Sequence, residues 1–209
     1  MASFTEEILK SLDDSEGERL IARFLKSNPD LVFWAFINLG GHTHYVVPDF
    51  GIGKALFCDF LLLQSFSGGW NVHFIELEPV RDPLYNKDRT PSRRLRIAQK
   101  QIADWRRYVA TNEASLRNQL ADAAKPKYCL QSKEISEEPA SFSGHRLRDI
   151  YTYVDYHYHI IIGRRSDLSD DKNFYRSSSY EHDAIDIVSY DRLVEVAKRL
   201  DNIRSKKQT

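Results

Sequence analysis

Two long apolar runs with a five-residue gap between them constrain this chain more than any other feature. ALFCDFLLLQ (Ala55–Gln64) and WNVHFIELE (Trp70–Glu78) flank Ser65–Gly69, a loop of Ser, Phe and Gly, and read as the arms of a β-hairpin. Each run is apolar at successive positions, the pattern of strands covered on both faces in the middle of a sheet. Acidic residues inside such strands need a reason. Asp59 lies in the first run, and Glu76 and Glu78 in the second. Side chains alternate along a strand, so Glu76 and Glu78 share a face, roughly 6–7 Å apart. If the strands pair, Asp59 meets them at one end of the sheet. A buried carboxylate is costly unless it is paired or holds a cation. Neither run carries Lys or Arg, so the pattern points to a divalent metal, and all-oxygen ligation favours Mg²⁺ or Mn²⁺.

The surrounding segments supply a frame. Leu20, Ile21, Phe24 and Leu25 recur at helical spacing in SEGERLIARFLKS (15–27), with Ser15 and Glu18 spaced as a capping box and Asn28-Pro29 as the stop. DLVFWAFINLGG is apolar and its state stays open. His42–Val47 reads as a strand closed by Pro48. Arg81–Ser92 is a polar loop, after which a long helix is expected from Thr90–Pro91, with Leu95, Ile97, Ala98, Ile102, Trp105, Val109 and Leu116 as its apolar stripe. Lys125–Asp155 is polar and irregular. His157–Arg164 is a further buried strand, Arg165–Ser179 a loop, AIDIVSY a short strand, and Tyr190–Ile203 a closing helix. The order implies an α/β fold with a mixed sheet covered by helices. One domain suffices: an N-terminal helical segment (1–40), a core (41–164), and a closing strand and helix (165–209).

Charge matters locally rather than in total. Thirty Lys and Arg balance thirty Asp and Glu, yet Arg81–Arg107 carries nine basic residues against three acidic ones. A nucleic-acid footprint is local, so overall neutrality does not exclude one. Arg93, Arg94, Arg96 and Lys100 are the candidate phosphate contacts, against the alternative of a solvated helix face. The two cysteines, Cys58 and Cys129, suit reduced thiols, and no apolar run is long enough for a membrane span. The start, MASFTEEILKSLDDSEGE, is acidic where a secretory leader would be basic and then apolar, so a cytoplasmic location is expected. GIGK (51–54) lacks the spacing of a phosphate loop and reads as a turn. His42/His44 and His157/His159 each share a strand face, and ordinary strand histidines are the expectation over zinc ligands. Tyr151, Tyr153, Tyr156 and Tyr158 are expected to pack or to form an interface.

A strand with Asp, a loop, a strand ending in Glu-x-Lys and then a helix is the core of the PD-(D/E)XK nucleases, and this chain resembles it. More specifically it resembles the Shedu family of bacterial anti-phage nucleases, in GERLIARFLKSNPDLV, CDFLLLQ, FIELEP, RIAQKQIADWRRYV, HIIIGRR and AIDIVSYDRLVEVAKRL. The resemblance implies a restriction-endonuclease-like fold, a metal-dependent endonuclease activity and metal-binding roles for Asp59 and Glu76. It also matches Glu18, otherwise a capping residue, to the carboxylate offered by the helix before the sheet. Gln101 matches a glutamine that holds a water or a phosphate. It further implies a nucleic-acid partner, DNA ahead of RNA, and a homo-oligomer. One position departs from the pattern: the usual lysine is Glu78. A carboxylate does not stabilise charge building on phosphate, but it binds metal or accepts a proton from water. Lys100 and Lys54 are candidates for a migrated cation. The alternative is a catalytically inactive nuclease-fold domain that binds nucleic acid or a protein partner.

Overall fold

The computed structural model describes residues 3–37, 40–131, 138–141, 143–167 and 184–206. The described residues form five α-helices: α1 (Phe4–Asp14), α2 (Glu18–Ser27), α3 (Pro29–Phe36), α4 (Arg93–Ala123) and α5 (Asp191–Lys206). Six strands, β1 (His44–Ile52), β2 (Leu56–Phe66), β3 (Gly69–Leu77), β4 (Cys129–Gln131), β5 (Tyr153–Ile161) and β6 (Ile185–Val188), make one sheet ordered β4-β1-β2-β3-β5-β6. The mixed α/β architecture is of the restriction-endonuclease-like type. β2 and β3 are the two central strands, which is why their sequences are apolar at both odd and even positions.

By its packing the chain divides into two compact units, Met1–Phe36 with Leu77–Ile97 and Ile160–Thr209, and Ile37–Glu76 with Ala98–His159. In the first, α1, α2, α3 and α5 bury Ile8, Leu12, Ile21, Leu25, Phe33 and Leu193. Asp201 on α5 accepts from the Phe4 and Thr5 amides at 2.9 Å each, satisfying the open N-terminus of α1 from across the unit. In the second, the α4 ring of Trp105 packs 6.1 Å from Phe74 of β3, and Tyr158 stacks on Phe74 at 5.7 Å. Tyr156 stacks there too; Tyr153, though exposed, meets Phe66 edge-on at 6.3 Å, and Tyr151 is exposed.

Several sequence expectations need correcting. The capping box expected at Ser15 and Glu18 is absent: Gly17 caps α2 without a side-chain bond, and Ser15 instead ends α1, its hydroxyl donating to Ser11 O at 2.6 Å. The capping box is formed by Ser3 and Glu6 on α1, a helix the acidic N-terminal sequence did not suggest. Pro48 does not close a strand, because β1 runs through it to Ile52. β4 covers only His44 and Tyr45 of β1, so at Pro48 the outer side needs no donor. The hairpin loop is shorter than Ser65–Gly69, since Phe66 and Gly69 still pair. The undecided apolar stretch is helical up to Phe36, as α3, and residues 38–39 lie outside the described residues. The irregular 125–155 segment contains a 3₁₀ turn (Pro126–Tyr128) and β4. The long helix begins at Arg93, where Ser92 Oγ accepts from the Leu95 amide, and it bends at Asn112 (φ −133°). Most of the expected loop Arg165–Ser179 lies outside the described residues.

Candidate active site

Asp59 and Glu76 are brought together by strand register. β2 and β3 pair antiparallel with Phe60 opposite Ile75, so the next step along each strand sets Asp59 opposite Glu76. Both are half-buried. The buried Cys58 thiol lies near both charges. Burial pushes its pKa well up, and the charges of Glu76 and then Asp59 push it further. Like charges directly opposite on neighbouring strands are destabilising, so this end of the hairpin concentrates negative charge at a cost to stability.

The register extends the row to a residue the sequence reading missed. β1 pairs with β2 so that Pro48 faces Phe60 and Phe50 faces Cys58, which sets Asp49 opposite Asp59. Asp49 has φ 51°, a left-handed backbone uncommon outside glycine, inside an otherwise regular strand. The signal in the sequence is the Pro-Asp pair, which a strand ending at Pro48 hides. Three acidic positions, 49, 59 and 76, thus lie on one line across three adjacent strands.

The rest of this unit holds the hairpin in place. Gln101 Nε2 on α4 donates to the Phe57 carbonyl at 3.2 Å, two residues before Asp59. Its amide nitrogen is therefore engaged by the strand. At the β1–β2 turn, Gly53 N donates to Gln119 Oε1 (2.8 Å), and Gln119 Nε2 donates to Tyr108 Oη (3.0 Å). Gly53 has φ 69°, and a carbon added there would stand 2.5 Å from Tyr108 Cε2, so only glycine fits. Lys100 is exposed and pairs with Asp104 at 3.0 Å.

The remaining candidates belong to the other unit. Glu78 follows β3 and is 5% exposed; its amide donates to Ile161 O and its carbonyl accepts from Tyr190 Oη, each at 2.8 Å. Glu18 opens α2, where an acid complements the helix dipole, beside a cleft also lined by Asp14 and Glu16. Arg93, Arg94 and Arg96 are exposed in the first turn of α4, and Arg94 reaches Asp82 at 3.4 Å.

Metal fit can be judged from the donors. Among the described residues no three His, Cys, Asp or Glu side chains are gathered as an all-protein cage. Two opposed carboxylates suit Mg²⁺, which binds through one or two carboxylates and completes its shell with water and substrate phosphates. The donor set fits such an ion.

A mixed sheet of this topology, flanked by helices, belongs with the restriction-endonuclease-like class of α/β protein. The family described as Shedu protein SduA, C-terminal, matches residues 15–194, and the chain belongs to that family. The family sets it in the context of anti-phage defence nucleases. No curated protein matches the chain. No helix among the described residues is long and apolar enough to cross a membrane.

Proposed function

We propose that this chain is a metal-dependent nuclease of the PD-(D/E)XK type that hydrolyses phosphodiester bonds of nucleic acid in anti-phage defence. The supporting observation is the register that opposes Asp59 and Glu76, with both carboxylates felt by the Cys58 thiol. Asp59 and Glu76 would hold Mg²⁺ or Mn²⁺, which supplies Lewis-acid polarisation of the scissile phosphate and acidifies a water. Glu78 stands where the usual lysine would be and accepts the water's proton. Gln101 fixes the strand that carries Asp59 through the Phe57 carbonyl. Arg93, Arg94, Arg96 and Lys100 contact backbone phosphates, positioning the substrate without reading its sequence. The substrate is DNA ahead of RNA, and the working form is a cytoplasmic homo-oligomer, which sedimentation of the pure protein measures.

The Glu-Leu-Glu sequence favours a second reading, in which the fold binds nucleic acid or a protein without cutting. A cleavage assay on single- and double-stranded DNA and RNA with Mg²⁺ or Mn²⁺ separates the two. The nuclease reading expects metal-dependent cutting that disappears in Asp59→Ala and Glu76→Ala. Equal silence of wild type and variants, with salt-sensitive binding retained, establishes the second reading instead.

A further inference from the structure

We propose that Phe57 is a stacking platform for an unpaired nucleobase beside the acidic pair, so that the site takes single-stranded nucleic acid or a strand locally unpaired. The inference rests on the nuclease reading above and names the form of its substrate.

Phe57 breaks the pattern of its own strand. From Cys58 to Ser65 every β2 residue except half-buried Asp59 is buried, yet Phe57 is 60% exposed. An aromatic ring left in water in a central strand, two residues before a candidate metal ligand, contributes little to the core that surrounds it. Its setting is nevertheless fixed. The Phe57 carbonyl accepts from Gln101 Nε2, and its backbone pairs with Gly51 of β1. The ring edge lies against Gly51, with Cε1 at 3.6 Å from where a Cβ would be, an ordinary contact distance. One edge of the ring is thus backed by the strand next to it, while most of its surface stays open. An aromatic side chain held in advance loses little freedom when a ligand arrives.

Two lysines belong to the same unit as the ring, and Lys100 already pairs with Asp104. Lys54 is exposed on the turn three residues before Phe57, and Lys100 is exposed on α4 next to Gln101. Phosphate contacts from lysine together with a ring face are the combination by which proteins hold single strands without reading sequence, since every base presents a π-face. A duplex keeps its bases stacked on one another and offers this ring no face. The exposed aromatics Tyr151 and Tyr153 lie apart from the acidic pair in sequence and are not part of the proposal.

The test measures binding without divalent metal, so that cutting does not intervene. Fluorescently labelled single-stranded oligonucleotides are titrated with the full chain and with Phe57→Ala, Phe57→Trp and Asp59→Ala. Phe57→Ala is expected to weaken single-strand binding roughly 5- to 150-fold, and to leave blunt duplex binding and the melting temperature unchanged. Phe57→Trp restores the affinity, and its indole fluorescence is quenched as oligonucleotide binds. Asp59→Ala binds the single strand at least as well as wild type. Wild-type affinity in Phe57→Ala, with cutting intact in the parent, overturns the stacking role alone. A change in sedimentation instead of affinity assigns the ring to contact between copies and also overturns it. Failure of the parent to bind any oligonucleotide overturns this inference, while the cleavage assay with Mg²⁺ or Mn²⁺ decides the nuclease reading separately.

Discussion

His73 Nδ1 and His159 Nε2 lie 2.9 Å apart, a hydrogen bond between two imidazoles on neighbouring strands β3 and β5. Their rings are near-parallel with centroids 5.1 Å apart, the spacing of rings joined edge to edge, while His157 stacks on His73 at 4.4 Å and reaches Asp155 at 3.3 Å. One proton lies between the paired nitrogens, so the bond requires at least one neutral ring.

A pH dependence of stability follows from this pair. Burial first, then the neighbouring His159 and His157, hold the His73 pKa well below its ordinary value of 6.5. The unfolded chain therefore takes up a proton that the folded chain refuses. The stability tied to neutral His73 is present above about pH 6.5 and declines as pH falls below it, by up to about 1.4 kcal/mol per pH unit for one proton. Urea unfolding at pH 7.5 and 5.5 is expected to show that loss, and His73→Leu to reduce it. An unchanged slope in the variant would assign the acid sensitivity to other groups.

The acidic pair should cost stability when no cation is bound. Asp59→Asn or Glu76→Gln is expected to stabilise the metal-free protein by about 0.2–1 kcal/mol for one relieved cross-strand repulsion, and so to raise its melting point. Added Mg²⁺ or Mn²⁺ should then stabilise the parent and not the variants. Thermal denaturation with and without metal checks both halves. Destabilised variants with no metal response in the parent would count against a cation site.

The β1–β2 turn offers a purely structural test. Gly53→Ala must adopt a left-handed backbone, costing roughly 1–2 kcal/mol, and must also displace the Tyr108 ring. Gly53→Ala with Tyr108→Ala should recover only the part due to contact. Denaturant midpoints of the two variants measure the division.

Charge contacts should differ among the α4 arginines. Arg94 already shares its charge with Asp82. Arg93→Ala and Arg96→Ala are accordingly expected to lower the salt dependence of nucleic-acid binding by about 1 each, and Arg94→Ala by less. Affinities measured across a salt series give the slopes.

Replacing Glu78 with Gln keeps its size and removes the proton acceptor. Cleavage is expected to fall by roughly 10²–10⁴-fold with Mn²⁺ binding retained. Unchanged cleavage would deny Glu78 that role.

What the sequence made legible was whatever depends on local pattern. Two central strands announce themselves by being apolar on both faces, and Asp59 and Glu76 stand out because acids are rare there. The stripe of α4 from Leu95 to Leu116 repeats at helical spacing and is buried accordingly, with Ile97 the exception at 45% exposure. What stayed hidden depends on distant partners. α1 carries its apolar residues, Ile8 and Leu12, among acids, and its N-terminus is satisfied by Asp201, almost two hundred residues away. Pro48 looked like a terminator because nothing nearby reveals that β4 leaves that part of β1 uncovered. Asp49 became visible only once three strands were aligned. The His73–His159 bond joins residues 86 apart and leaves no local trace.

Among the described residues, the outermost strands of the sheet, β4 and β6, have three and four residues. Backbone donors and acceptors on a sheet's rim are a template for another chain. The outer side of β1 beyond Tyr45 is such a rim, and Pro48, which lacks an amide hydrogen, breaks its row of donors where another chain would pair.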